Sequence, residues 1–302
     1  MYWEEMREYQ FTGAIDKFGG LCALPVSSLE KKGQHLPVGA DGYIADIIIE
    51  EALKIEDTVI FPTSCWLGDV SAHPLKKEDG SPRWRGAIEI SNDLQLTLFE
   101  EICDEIARNG FRKVLLIVKQ PATAKIVGLF LRYIGYEKRN YALLTTNAVN
   151  AELSKAENVL NTIKERREDF SFVTEEDIKT LTKWVEDGIE REYVDTAILM
   201  ARKPELVAVD RINAEDNSCT HKADEYLKDV IKFTNMQNIQ YPNIETPTVP
   251  EGVTATIGEA LIKINAERLA NAFKLLKKDE ECVRIATGVP MGELITYDLK
   301  EW

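Results

Sequence analysis

The feature that most constrains this sequence is an alternation of short apolar runs with longer amphipathic segments. Residues 21–26, 58–61, 114–118 and 141–144 are apolar and short, as buried strands are. Segments with helical spacing separate them, because apolar residues there recur every three or four positions. Strands that alternate with helices favour a parallel sheet covered on both faces. The sequence therefore predicts an α/β fold, a three-layer αβα sandwich with a mostly parallel central sheet.

The clearest helix has apolar residues four apart, at Leu94, Leu98, Ile102 and Ile106, and an Asn109-Gly110 stop. The spacing predicts further helices over 2–9, 45–53, 124–133, 152–167, 175–190, 223–233 and 257–277, and a strand over 206–209. No internal repeat and no convincing linker interrupts the chain. We therefore expect one domain over 1–302, with a charged helical excursion at about 150–202.

Composition excludes several classes of function. A net charge of −14 and a pI near 4.9 argue against nucleic acid as a partner, because phosphate binding needs clustered Lys and Arg. No apolar run approaches the roughly 20 residues of a membrane span, and the N-terminus lacks the pattern of a secretory signal. The five cysteines are widely spread without a Cys-x-x-Cys pair, so neither a disulfide framework nor a zinc knuckle is indicated. We expect a cytoplasmic protein with no membrane partner.

A candidate site follows the first predicted strand. Glu30, His35 and Asp41 lie within a dozen residues, between that strand and an amphipathic helix. Ligands of open α/β sheets collect at the carboxyl ends of strands. Two carboxylates and an imidazole can serve acid and base steps, or can hold one divalent metal ion with an open water position. The metal ligands predicted here are Glu30, His35 and Asp41.

The three histidines of the chain, His35, His73 and His221, all lie in polar segments rather than in apolar runs. An imidazole titrates near neutral pH, so a histidine in such a segment is a candidate for proton transfer. The alternative is that each histidine only makes structural hydrogen bonds. Both interpretations remain open at the level of sequence.

The first loop also carries a family resemblance. LPVSSLEKKGQHLPVGAD, residues 24–41, resembles the pattern LPxGxxExHGxHLPxxTD of the creatininase (creatinine amidohydrolase) family. The segment 61–91, which contains His73, and the strand-like run 109–118 are similar to later stretches of that family. Weaker similarity is found in HKADEY, residues 221–226, and in residues 252–269.

The resemblance implies a hydrolase that uses metal-activated water, with zinc or manganese as the expected metal ion. It also implies a small polar cyclic molecule as substrate and a homo-oligomer, with a hexamer expected. The catalytic residues assigned on these grounds are Glu30, His73, His221 and Glu225. In the family pattern, the aspartate that matches Asp41 bridges two metal ions.

This sequence departs from the pattern at two ligand positions. Lys32 stands where the family has a histidine, and Gln120 falls about where a second histidine is found. An ammonium group is no metal ligand until it loses its proton, so the metal site is altered or absent. We interpret Lys32 either as a solvated lysine, as a cation paired with Glu30 or Asp41, or as a Schiff-base former. The substrate-binding residues predicted here are Lys32, Cys65, Trp66 and Gln120.

Two functions follow. One is a hydrolase for a small cyclic amide or a cyclic ketone of the keto-cyclitol type. The other is a non-catalytic protein that keeps the fold without the two-metal centre and acts as a small-molecule binder or partner subunit.

Overall fold

The central element is a sheet of parallel strands. A computed structural model describes residues 1–64, 85–88, 90–119, 121–134, 139–215 and 248–288. Within these residues the strand order is β2-β1-β3-β4, and all three pairings are parallel. The strands are β1 Leu21–Val26, β2 Val59–Ile60, β3 Lys113–Val118 and β4 Ala142–Asn147.

Helices connect and flank the strands, so the molecule is a three-layer αβα sandwich as predicted. The described α-helices are α1 Gln10–Lys17, α2 Ala40–Ile55, α3 Asn92–Arg108, α4 Pro121–Ile134, α5 Ala156–Glu165, α6 Glu175–Glu186, α7 Val194–Arg202, α8 Ala255–Lys278 and α9 Glu281–Gly288. None of them is long and apolar enough to cross a membrane.

The sheet forms where the sequence is most apolar. All six residues of β1 and all six of β3 are buried, as expected for central strands covered on both faces. Alternate side chains of β1 pack in one core cluster with residues of α3 and α4, including Phe99, Cys103 and Phe130. Alternation directs every second residue of a strand to the same face, so this cluster forms one covered side of the sheet.

Contacts along the chain divide it into two compact units. The first comprises Met1–Glu30, Asp41–Leu153 and Ile262–Trp302, and it contains the sheet. The second comprises Lys31–Ala40 and Ser154–Leu261. The charged stretch predicted at about 150–202 is helical and includes α5, α6 and α7. The single domain over 1–302 stays a prediction.

The predicted helices and strands match the structure apart from three differences. The strand predicted over 206–209 is wrong, because this segment forms two short 3-10 turns, Pro204–Leu206 and Val209–Arg211. Pro204 fixes its own φ and favours such a turn start. Near the N-terminus, the predicted helix over 2–9 is a 3-10 turn at Trp3–Glu5, and the longer helix α1 follows it. Helix α7 was not predicted, and the helix predicted over 223–233 lies outside the described residues.

Candidate functional site at the carboxyl edge of the sheet

The candidate site lies where β1 and β3 end. These strands are parallel neighbours, and their last residues, Val26 and Val118, are paired in register. Ser27 and Lys119, which follow them directly, therefore leave the sheet side by side at its carboxyl edge. Ligands of open parallel sheets bind at this edge.

An ion pair between α2 and the end of β3 provides the charge of the site. Nζ of Lys119 donates to Oδ1 of Asp41 at 3.1 Å. The exposed fractions of the two side chains are 8% for Lys119 and 0% for Asp41, so both charged groups are removed from water. Asp41 lies in the first turn of α2, where the helix dipole also favours a negative charge.

Two hydroxyl groups lie at the end of β1. Ser27 and Ser28 are fully buried, and neither hydroxyl oxygen has a hydrogen-bond partner within the described parts of the chain. The backbone of Ser27 is fixed, because its N–H donates to the carbonyl oxygen of Ser64 at 2.8 Å. A buried hydroxyl without a partner is unfavourable, and a bound polar molecule would satisfy it.

A guanidinium group lies at the end of β4, the neighbour of β3. Arg268 of α8 donates to Oγ1 of Thr146 at 2.9 Å, and to the carbonyl oxygens of Asn147 and Ala148. Burial lowers the pKa of Arg268 below its ordinary value. Arginine stays charged in proteins in any case, so this group brings a second fixed cation to the same edge.

Glu30 ends the first part of the first unit, three residues after Ser27, and is partly buried. Its position in the chain agrees with the predicted site at the end of β1. Its proposed role as a base is taken up below.

His35 belongs to the second unit and has a partner there. Its Nε2 atom lies 2.9 Å from Oγ1 of Thr196 in α7, and its carbonyl oxygen accepts a hydrogen bond from the N–H of Ala208 at 2.9 Å. Burial lowers the pKa of His35, and the nearby carboxylate of Asp195 acts in the opposite direction. These contacts support the structural interpretation of this histidine.

Neighbours of His35 also contact the second unit. Nζ of Lys31 lies 2.6 Å from Oε1 of Glu215, and Nε2 of Gln34 donates to the same oxygen at 2.6 Å. Residues 31–40 are thus held by contacts within that unit. Lys32 is partly buried there, and its substrate-binding role stays a prediction.

The described residues do not form a metal centre. No three His, Cys, Asp or Glu side chains among them are grouped so that they could hold a metal ion. The carboxylate of Asp41 is paired with an ammonium group, which has no lone pair to offer a metal. These residues therefore do not fit the two-metal arrangement that the family pattern implies. The ligand set Glu30, His35 and Asp41 stays a prediction.

Several predicted site residues lie outside the described residues. They comprise the catalytic candidates His73, His221 and Glu225, and the substrate-binding candidates Cys65, Trp66 and Gln120.

Sequence reasoning missed three groups at the carboxyl edge: Ser27, Lys119 and Arg268. For Ser27 and Lys119 the signal was available, because each is the first residue after a buried parallel strand. Arg268 gave no such signal, since it lies in a helix more than a hundred residues after β4 and reaches the site only through the fold.

Comparisons with known proteins agree with this architecture. The family model described as "Creatininase: Creatinine amidohydrolase" matches residues 2–273. A search of curated proteins found no match.

Three solved structures are similar to the chain. A creatininase described with Mn is 16% identical with a TM-score of 0.61, covering 92% of this chain and 99% of its own. A mutant creatininase complexed with creatine has the same identity, TM-score and coverage. A provisionally described creatinine amidohydrolase from Bacteroides fragilis NCTC 9343 is 18% identical with a TM-score of 0.56, covering 86% and 91%. At these identities the likeness shows the fold.

Proposed function

The chain belongs to the creatininase family, and on that premise we propose that it is a hydrolase that opens a small polar ring by water attack on a carbonyl carbon. The substrate class is a cyclic amide or a cyclic ketone of the keto-cyclitol type. In this reaction the oxygen of water bonds to the carbonyl carbon and the ring C–N or C–C bond breaks. The leaving nitrogen or carbon takes up a proton.

The observation that carries the proposal is the buried Asp41–Lys119 pair at the carboxyl edge of the sheet. It places a carboxylate and an ammonium group beside β1, where the hydroxyls of Ser27 and Ser28 have no partner among the described residues. A polar ring compound offers the carbonyl and hydroxyl groups that such a site can bind.

The proposed roles of the residues follow from their chemistry. Glu30 takes the proton from the attacking water, since a carboxylate can act as a general base. The cations and hydroxyls at the edge bind the polar groups of the substrate. His73, His221 and Glu225 remain further catalytic candidates, and Lys32, Cys65, Trp66 and Gln120 remain substrate-binding candidates.

The metal and the assembly also belong to the proposal. A relative described with Mn makes manganese a candidate ion, with zinc as the other candidate from the sequence. The described residues do not fit a two-metal centre, so no step here depends on one. A homohexamer stays a prediction that light scattering on the purified protein can test.

A second function is favoured by that lack of fit. If the ion pair serves only to stabilise the fold, the chain is a non-catalytic binder or a partner subunit, and ring compounds bind without being consumed. The two functions differ in turnover.

The experiment is a screen for turnover. The wild-type protein is incubated with cyclic amides, lactams and keto-cyclitols, and ring opening is followed by proton NMR. We expect at least one compound to be consumed, and Asp41→Asn to slow its consumption by on the order of 100-fold.

Asp104→Asn is the matched control. Its carboxylate accepts hydrogen bonds from Arg139 and Tyr141, and Tyr141 precedes β4 at the opposite edge of the sheet. The control variant should keep the wild-type rate. Binding of ring compounds without consumption would contradict the hydrolase and support the binder.

A further inference from the structure

Asp41 needs a positive partner. Its side chain is completely buried, and an isolated carboxylate in such a place is strongly unfavourable. A bound metal ion or a protein cation can supply the opposite charge. In this structure Lys119 supplies it, at 3.1 Å from Oδ1.

The backbone holds Lys119 in this position. The preceding residue, Val118, is paired in register with Val26 on one side and with Asn147 on the other. Lys119 therefore emerges from the middle of the sheet rather than from an edge strand. Its side chain is buried as well, so the ammonium group faces Asp41 instead of bulk water.

A divalent ion and this ammonium group compete for the same carboxylate. Protonated lysine has three donors and no lone pair, so it cannot share a metal ion as a ligand. Like charges at short range repel strongly where water is excluded. Lys119 and a metal ion are therefore alternatives at Asp41.

We infer that the ammonium group of Lys119 is the built-in counter-cation of Asp41 and takes the place that a divalent metal ion would otherwise hold beside this carboxylate. The inference deepens the proposed function, because it identifies the cation of the substrate pocket as a lysine. The pocket is charge-balanced without an added ion, and the ammonium group can donate to a substrate oxygen.

The chain offers a matched control in Lys113. This lysine lies on the same strand, is buried, and pairs with Oε1 of Glu280 at 2.8 Å. It begins β3, so it lies at the amino edge of the sheet, away from Asp41. Lys113→Met removes a buried lysine from the same strand without touching the candidate site.

The test measures metal binding and needs no substrate. Wild type, Asp41→Asn, Lys119→Met and Lys113→Met are dialysed against chelator, and their melting temperatures are recorded with and without manganese or zinc. We expect neither ion to raise the melting temperature of wild type or of Lys113→Met. Lys119→Met should melt several degrees lower than wild type, and manganese or zinc should recover part of that loss. Asp41→Asn should not respond to metal.

Two results would overturn the inference. One is a stoichiometric metal ion in wild type, by elemental analysis, that is absent from Asp41→Asn. The other is a folded Lys119→Met that gains no stability from either ion, since lysine and metal would then not be interchangeable. If Lys119→Met does not fold, metal titration of wild type against Asp41→Asn decides the question alone. Failure of every ring compound to react would sink the proposed function and leave these metal readings unaffected.

Discussion

The ammonium nitrogen of Lys119 lies 3.1 Å from Oδ1 of Asp41, and this pair joins the end of β3 to the first turn of α2. Both side chains are buried, so the attraction between them acts with little screening by water or salt. The free energy of the pair depends on both partners being present, because either charge alone is costly in the interior.

A double-mutant cycle measures this dependence. Lys119→Met alone should lower the free energy of unfolding by about 3–5 kcal/mol, because it leaves the charge of Asp41 buried. The double variant Asp41→Asn/Lys119→Met should lose less than the sum of the single losses. Urea unfolding gives the four values. Single losses that simply add would show that the two groups do not interact.

The contact between His35 and Thr196 predicts a structural role for the imidazole. At 2.9 Å, with the ring buried, this hydrogen bond should contribute about 1 kcal/mol to the free energy of unfolding. We expect His35→Ala and Thr196→Val each to destabilise the protein, with a coupling of that size between them. Chemical denaturation measures it, and a coupling near zero would leave the contact without energetic weight.

The lowered pKa of His35 predicts how stability depends on pH. Burial favours the neutral ring, so the unfolded chain binds a proton more readily than the folded one does. The contribution is present above the ordinary pKa of about 6.5 and is lost as pH falls through the lower pKa of the folded state. His35→Gln should weaken the loss of melting temperature on acidification. An identical pH profile for the variant would show that other groups cause it.

Close packing of α7 against α8 predicts opposite effects for two glycine substitutions. A Cβ at Gly258 would lie 2.0 Å from the carbonyl oxygen of Ala197, so Gly258→Ala should cost about 1–3 kcal/mol of stability. Gly13 in α1 has nothing within 4 Å, so Gly13→Ala should add about 0.5–1 kcal/mol. Thermal unfolding of both variants tests the prediction, and equal effects of the same sign would contradict it.

Much of the fold could be predicted from local pattern. β1 and β3 are continuous apolar runs, and their burial on both faces leaves one structural solution for such runs beside amphipathic helices. The segment 206–209 shows the limit of this reasoning. Its apolar residues resemble a strand, but short 3-10 turns satisfy its backbone instead.

The site was harder to predict than the fold. Asp41 was found because its loop follows a strand in a recognisable motif, and its cation was expected nearby in sequence at Lys32. The cation described at Asp41 is instead Lys119, 78 residues away, because parallel pairing of β1 and β3 brings their ends together. Strand order is a non-local property, so residue spacing alone cannot identify such a partner.

The most direct test of the account is the rate of ring opening, by proton NMR, in protein dialysed against chelator. A substrate identified in the screen is offered to wild type with the chelator still present, and again after manganese is restored. The account predicts equal rates under both conditions, since Lys119 supplies the positive charge at Asp41. A rate that vanishes with chelator and returns with manganese would contradict it.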